Sequence, residues 1–280
     1  MLTHHKATTQ TRRHQVRVKH VDLTTDTPEK SLLKKLNPRL ARSGRGKITV
    51  RGRGTRADRM YRLIDFRRLD RDLPGTVKTV EYDPYRSCYI SLVFYPNGKK
   101  SYILNPNGVK VGDQVLSAET TPVLVGNAMR LANIPSGTAV HNIIIDENRD
   151  GGLVRSAGTS AVVMGQKENY TQIKLPSGEV RLVLSKNYAT IGQLSNLDNM
   201  NQKFGKAGTL RHKGFRPIVR GVAQHPRSHP HGGGQGKAGR HGTGGPAVDP
   251  WGNKRFAKTR NNKRTQKFIL RGRNSKKALV

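Results

Sequence analysis

What most limits the folds open to this chain is the way its charge is segregated. Its 280 residues carry 52 Lys and Arg against 18 Asp and Glu, a formal charge of +34. Residues 1–60 hold 16 basic and 4 acidic residues, residues 61–200 hold 16 and 13, and residues 201–280 hold 20 and 1. Only the middle has the balance of an ordinary globular module. The last 80 residues also contain 14 of the 30 glycines, so an independently packed core is not expected there. Self-repulsion on this scale calls for a polyanion, which makes nucleic acid the expected partner, ahead of an anionic membrane surface. No run of 18 apolar residues is present, so no transmembrane helix is expected. Cys88 is the single cysteine, which excludes an internal disulfide or a thiolate zinc cluster and fits a reducing compartment.

In the middle, short β-branched and aromatic runs are bounded by turn residues. Strands are predicted at Tyr61–Phe66, Thr76–Tyr82, Cys88–Tyr95, Lys100–Leu104 and Gln114–Ser117. Pro96-Asn97-Gly98 and Pro106-Asn107-Gly108 supply turns, because Asn and Gly accept positive φ at little cost. Five short strands without a long helix between them suggest a small antiparallel barrel, for which the OB-fold, a common oligonucleotide binder, is the candidate. Residues Gly126–Ile134 read as a connection. A second β set then follows at Val140–Asp146, Leu153–Arg155, Ser160–Gly165, Thr171–Leu175, Val180–Leu184 and Ala189–Gln193, punctuated by Pro135-Ser136-Gly137 and Pro176-Ser177-Gly178. It predicts a second small barrel, with His141 in a hydrogen-bonded structural role. For Arg155-Ser156-Ala157-Gly158-Thr159 two readings stand side by side, a turn and a phosphate contact.

The ends read differently. Met1–Arg17 lacks the apolar core of a secretory signal; its acid-free, Thr- and Arg-rich pattern is shared by organellar transit peptides and basic RNA-binding arms, of which the arm is preferred. Pro28 and the shared face of Leu32, Leu33 and Leu36 predict a short helix over Glu29–Leu36, stopped by Pro38. From Arg42 to Arg56 basic residues alternate with glycines, so Arg45, Lys47, Arg51 and Arg53 are candidates to track phosphates, against the alternative of a solvated tail. A helical turn or two is expected at Leu197–Phe204. Beyond it Lys206, Arg211, His212, Lys213, Arg216 and Arg220 continue the basic run. Trp251, beside Lys254 and Arg255, has the option of stacking on a base or packing on a barrel, and packing is favoured slightly. The tail is a polycation carrying Lys258, Arg260, Lys263, Arg264, Lys267, Arg271 and Arg273, with Phe268–Leu270 as an apolar clip that anchors it.

The stretch Gln224–Arg240 combines His225, His229 and His231 with Gly232, Gly233 and Gly234 and has no acid. It suits neither a core helix nor a strand. Its glycines admit an anion close to the backbone, and Arg227, Lys237 and Arg240 add fixed positive charge. Gly232 to Ala238 imitates a Walker A loop, but the spacing is one residue short, Ala238 replaces the metal-binding hydroxyl and no strand precedes it, so a nucleotide triphosphatase is rejected. Three histidines without a fourth ligand or a rigid frame do not make a metal site, and none is expected. A histidine acting as general acid or base on RNA or an ester would need an orienting carboxylate, and Asp249 is the only acid in the last 80 residues. Positioning is preferred to catalysis, and the loop is expected to be flexible alone and to take its shape on folded RNA.

Several motifs in order carry a resemblance: Arg62-Leu-Ile-Asp-Phe-Arg-Arg, Glu81-Tyr-Asp-Pro-Tyr-Arg-Ser, Val109-Lys-Val-Gly-Asp, Val140-His-Asn, Arg155-Ser-Ala-Gly-Thr, Leu175-Pro-Ser-Gly-Glu-Val-Arg, Arg216-Pro-Ile-Val-Arg-Gly, His229-Pro-His-Gly-Gly-Gly, Pro250-Trp-Gly and Lys258-Thr-Arg-Asn-Asn-Lys-Arg-Thr. From about residue 42 to 273 the chain resembles the ribosomal protein L-two family of the large ribosomal subunit, in its bacterial or organellar branch. The resemblance implies a mainly β protein: an OB-fold barrel followed by an SH3-like barrel, with long basic irregular N- and C-terminal extensions threading into large-subunit rRNA. It implies roles in assembly, subunit association, tRNA binding and support of the peptidyl transferase region, which the His229, His231 and Gly232–Gly234 loop approaches. Three departures stand out. Residues 52–59 replace a glycine-rich stretch ending in His-Lys, His212 stands where a Trp is common, and Gln235 stands where an acid is usual.

The expected division is a basic extension over 1–60, an OB-fold domain over 61–125, an SH3-like domain over 126–200 and a Gly-rich basic extension over 201–280. To the candidate rRNA contacts already given the resemblance adds Arg62, Arg67, Arg68 and Arg86 on the first barrel and Arg155 and Ser156 on the second. No cofactor and no enzymatic activity are expected. The partners implied are large-subunit rRNA and other ribosomal proteins, with the small subunit and tRNA indirectly, and neither a membrane nor a homo-oligomer. The location implied is a bacterial cytoplasmic or an organellar ribosome. The alternatives are an RNA-directed enzyme using His229 and a non-specific DNA-compacting protein.

Overall fold

A computed structural model describes residues 2–37, 41–146, 148, 152–235, 246–257, 259–260 and 262–273. The candidates Lys237, Arg240 and Lys258 lie outside them. The chain divides into two compact units: residues 1–37, 58–207 and 264–280 form one, and residues 38–57 and 208–263 form the other.

The first unit is built of short antiparallel strands. It opens with a hairpin of β1 (Leu2–His4) and β2 (Val16–Val18), followed by β3 (Leu33–Lys35) paired with β4 (Met60–Arg62). The Glu29–Leu36 helix does not form. A single 3-10 turn at Lys30–Leu32 leads straight into β3. The reason is tertiary. The Glu29 N–H donates to the Tyr102 hydroxyl at 2.8 Å and its carboxylate takes Lys100 at 2.8 Å, while Leu32 packs with Ile90, Leu92 and Tyr102. These contacts outweigh a weak helical preference.

The OB-fold barrel contains β5 (Gly75–Glu81), β6 (Ile90–Phe94), β7 (Lys100–Leu104) and β8 (Gln114–Val115), in the order β7-β6-β5-β8. Val77 and Val80 are three residues apart and would face opposite sides of a regular strand. A register shift between Val77 and Thr79 turns both inward, onto Tyr89, Val93, Ile103 and Val115. Both Asn-Gly turns form as read, with Gly98 and Gly108 at positive φ.

The SH3-like barrel comprises β9 (Ala128–Arg130), β10 (Ala139–His141), β11 (Ala161–Lys167), β12 (Tyr170–Lys174), β13 (Val180–Leu184) and β14 (Tyr188–Ile191), joined at one edge by β15 (Ile269–Arg271). The sheet order is β15-β13-β12-β11-β10-β14-β9. Its core gathers Met129, Leu131, Ile134, Val140, Ile143, Val163, Ile173, Val183 and Ile191. Strand β9 lies in what reads as a connection. Strand β10 stops early because Asn142 adopts a positive φ of 47°. Leu153 contributes only an isolated bridge to Ile143. The apolar clip docks as expected, with Ile269 buried and opposite Arg181 on β13.

Between the barrels, Phe66, Cys88, Leu104 and Leu194 form a shared buried cluster, and the Asn142 side chain donates to the Phe66 carbonyl at 2.8 Å. Among the described residues no helix is long and apolar enough to cross a membrane.

Candidate nucleic-acid interface

The second unit carries seven basic residues in 38–57 and twelve in 208–263, against Asp249 alone. Its two segments, read from sequence as separate extensions, pair with each other. The Gly54 N–H donates to the Gly214 carbonyl at 3.0 Å, the Arg216 N–H to the Gly52 carbonyl at 2.9 Å and the Ala57 N–H to the His212 carbonyl at 3.0 Å. The Arg53 guanidinium lies 4.0 Å over the Phe215 ring. Short helix α1 (Ala207–His212), which begins at the boundary between the units, leads into this pairing, and Gly214 turns the chain at a φ of 90°. Arg45, Lys47, His212, Arg216 and Arg220 are exposed around it, and Arg211, also exposed, donates to the Phe215 carbonyl. Lys213 is exposed as well.

The histidine loop is held from within. The Arg227 N–H donates to His225 Nδ1 at 3.2 Å, the His231 N–H to His229 Nδ1 at 3.0 Å, and the Val248 N–H to His231 Nε2 at 3.1 Å. His229 and His231 are each only 8% exposed, with ring centroids 4.7 Å apart. The exposed Arg51 braces the loop by donating to the Gln224 side chain at 3.2 Å and to the Ser228 carbonyl at 3.4 Å. The expectation of a loop shaped only on RNA is therefore corrected for residues 224–235. The backbone N–H groups that a free loop would offer to an anion are partly spent on imidazole nitrogens. Those bonds also fix the tautomers, because an N–H donor needs a lone pair: His229 carries its proton on Nε2 and His231 on Nδ1. Burial first, then the neighbouring His231 and Arg51, hold the His229 pKa below its ordinary value.

Glycine is required where the loop closes. A Cβ on Gly221 would stand 2.6 Å from the His229 ring, and one on Gly232 would stand 2.4 Å from the Gln224 carbonyl oxygen. Gly221→Ala is expected to unseat His229 and speed hydrogen exchange at the His231 amide, with exchange in β12 unchanged. Gly233 and Gly234 both take positive φ. The one acid, Asp249, accepts from the N–H groups of Trp251 and Asn253 and from the Asn253 side chain, and these bonds hold its pKa low. Trp251 itself is 62% exposed. Lys254, Arg255, Arg260 and Lys263 are exposed.

On the first unit the candidates separate by burial. Arg68 is 3% exposed and donates to the Gly126 carbonyl at 2.8 Å, while Arg62 is 8% exposed and donates to the Met60 carbonyl at 3.0 Å. Both are structural cations. Arg86 is half-buried between the Asp83 carboxylate and the Tyr61 hydroxyl, and Arg155 stands 5.1 Å over Phe66. Arg67 is half-buried, and the Ser156 carbonyl closes a turn by accepting from Thr159. Lys206, Arg264, Lys267, Arg271 and Arg273 are exposed. Arg59 is stacked 4.0 Å over Tyr85, 26 residues on, a partner that no local sequence pattern marks.

Two small β-barrels plus an almost acid-free unit assembled from residues 38–57 and 208–263 define a basic, barrel-based RNA-binding protein. Comparison with known families agrees. Residues 29–117 match "Ribosomal Proteins L2, RNA binding N-terminal domain" and residues 124–252 match "Ribosomal Proteins L2, C-terminal domain". The chain is 49% identical over 270 residues, 95% of each chain, to the large ribosomal subunit protein uL2 of Phenylobacterium zucineum (strain HLK1). It is 45% identical over 279 residues, 99% of this chain and 98% of the relative, to the protein of the same name from Paracoccus denitrificans (strain Pd 1222). The chain belongs to the ribosomal protein L2 family.

Proposed function

We propose that this protein is a structural component of the large ribosomal subunit, in which it binds rRNA through the 38–57 and 208–263 unit and through exposed basic residues of the barrel unit. The division at residues 60, 125 and 200 serves that role: the barrels supply a folded anchor and the extensions supply charge. The observation that carries the reading is the nearly acid-free unit whose single carboxylate is already consumed in a turn. Phosphates are the counterions that such a surface lacks. Assembly, subunit association, tRNA binding and support of the peptidyl transferase region follow as its contributions, and the ribosome of the bacterial cytoplasm as its location. Its partners there are large-subunit rRNA and neighbouring ribosomal proteins. The tagged chain, expressed in cells, is expected to co-sediment with the large subunit in sucrose gradients; a free pool, or one following chromosomal DNA, would overturn the reading.

An enzymatic role for His229 is disfavoured by its hydrogen bonding, since the Nδ1 lone pair is already occupied by the His231 N–H. His229→Gln keeps an acceptor but does not titrate. Ribosomes carrying it are expected to retain the wild-type pH profile of peptide-bond formation, whereas a lost limb of that profile would restore the enzymatic alternative.

A further inference from the structure

The pairing of the two segments in the second unit leaves a groove of about 530 Å³, within the range of pockets that hold small ligands. One set of its lining side chains is unexpected in a surface built for phosphates. Ile48 and Val50 are each 52% exposed, Ile218 is 77% exposed and Val219 is 58% exposed. A rim of Arg42, Arg51, Arg53 and Arg216 surrounds this apolar strip, and no carboxylate is among the described residues that line it. The alternation Arg51-Gly52-Arg53-Gly54 has a geometric reason. A Cβ on Gly52 would stand 2.8 Å from Ile218 Cδ1, and one on Gly54 would stand 2.7 Å from Arg216 Cδ. The walls meet over glycines, and the arginines are left to the rim.

We propose that this groove receives one unpaired nucleotide of the RNA, its base against Ile48, Val50, Ile218 and Val219 and its phosphate among Arg51, Arg53 and Arg216. The proposal rests on the reading of the chain as an rRNA-binding protein and adds to it a site and the form of its occupant. Charge complementarity selects a polyanion. The apolar strip then selects among RNA forms. A duplex presents phosphates and 2′-hydroxyls and would cover exposed Ile and Val with polar groups, whereas a base splayed from a loop or bulge has an apolar face that needs such a surface. Arg53 is held over Phe215, which orders its guanidinium at the rim without cost to its charge.

The test uses the full chain and naked large-subunit rRNA, with filter binding across a salt series and dimethyl sulfate probing of unpaired bases. Ile218→Asn and, on the other wall, Ile48→Asn change exposed side chains and leave the barrel cores untouched. Each is expected to weaken binding roughly tenfold. The slope of affinity against salt should stay as in the wild type, because no cation is lost, and at least one unpaired base shielded by the wild type should regain reactivity. Met200→Asn, an equally drastic change at an 86% exposed site on the barrel unit, should alter neither quantity. The proposal falls if both groove variants bind as the wild type does, if no unpaired base regains reactivity in them, or if Met200→Asn weakens binding as much. In each of these cases steep, salt-dependent binding by the wild type leaves the broader rRNA reading intact; failure of the wild type to bind at all would remove both.

Discussion

Binding of the full chain to large-subunit rRNA is expected to weaken by on the order of a thousandfold between roughly 50 and 200 mM monovalent salt. Each phosphate neutralised by Lys or Arg releases condensed counterions, so the logarithm of affinity falls linearly with that of salt, by roughly 0.7 to 0.9 per contact. A unit with basic residues in both segments and one engaged carboxylate has nothing to offset that slope. The burial pattern sharpens the expectation residue by residue. Arg45→Ala and Lys47→Ala remove exposed charges and should each lower the slope by about one contact. Arg68→Met removes a guanidinium that is sealed against the Gly126 carbonyl, and should cost folding stability while leaving the slope as it was. Filter binding at five salt concentrations reads the slopes, and thermal unfolding reads the stability. A flat salt dependence would exclude phosphate contact as the main source of affinity. An equal fall in slope for Arg68→Met would show that the barrel arginines reach RNA after all.

Arg67 and Arg68 show why the sequence carries so much of this protein and where it stops. As adjacent cations they are indistinguishable in the chain, and only the fold sends Arg68 to the inter-barrel carbonyl of Gly126. Features set by local chemistry were readable. Lys100–Leu104 and Val180–Leu184 form over the residues their apolar patterns mark, and the Asn-Gly turns fall at their Asn-Gly pairs. What depends on a distant partner was not. Leu33–Lys35 is a strand because β4 lies beside it, and Ala128–Arg130 is one although it lacks β-branched residues, because β14 supplies its partner. The candidate site divides the same way. The cations and glycines of the Gly-rich segments are visible as composition, whereas the pairing of Gly52 and Gly54 with Arg216 and Gly214 joins segments far apart in the chain. His229 and His231 were noted as a pair, but their inward placement requires Gly221 beneath one ring and the Val248 N–H, 17 residues on, against the other.

The second large effect concerns acid. His141, read as a structural residue, is 1% exposed in the SH3-like barrel and donates its Nδ1 proton to the Gly192 carbonyl at 2.8 Å. Burial, with a smaller contribution from the Arg68 charge, pushes its pKa down to about 4 from an ordinary 6.5, against the opposing pull of that hydrogen bond. Because the folded state resists a proton that the unfolded chain accepts, the contribution is fully present above pH 6.5 and is lost as pH falls from 6.5 towards 4. The loss amounts to about 3 kcal/mol. Glu81 in the OB-fold barrel opposes it. Its carboxyl is buried against Tyr102 and Thr79, and burial raises its pKa in spite of both hydrogen bonds, so this group gains stability as pH falls. The total pH profile therefore sums opposing contributions, those of His229 and Asp249 in the second unit among them, and the histidine must be isolated by substitution. His141→Gln retains a donor for the Gly192 carbonyl and does not titrate. Denaturant midpoints of wild type and variant are expected to run parallel above pH 6.5, and below it the wild type is expected to fall relative to the variant, because the wild type alone takes up a proton at this position on unfolding. Curves that stay parallel down to pH 4.5 would mean that His141 is protonated, or reached by water, within the folded barrel.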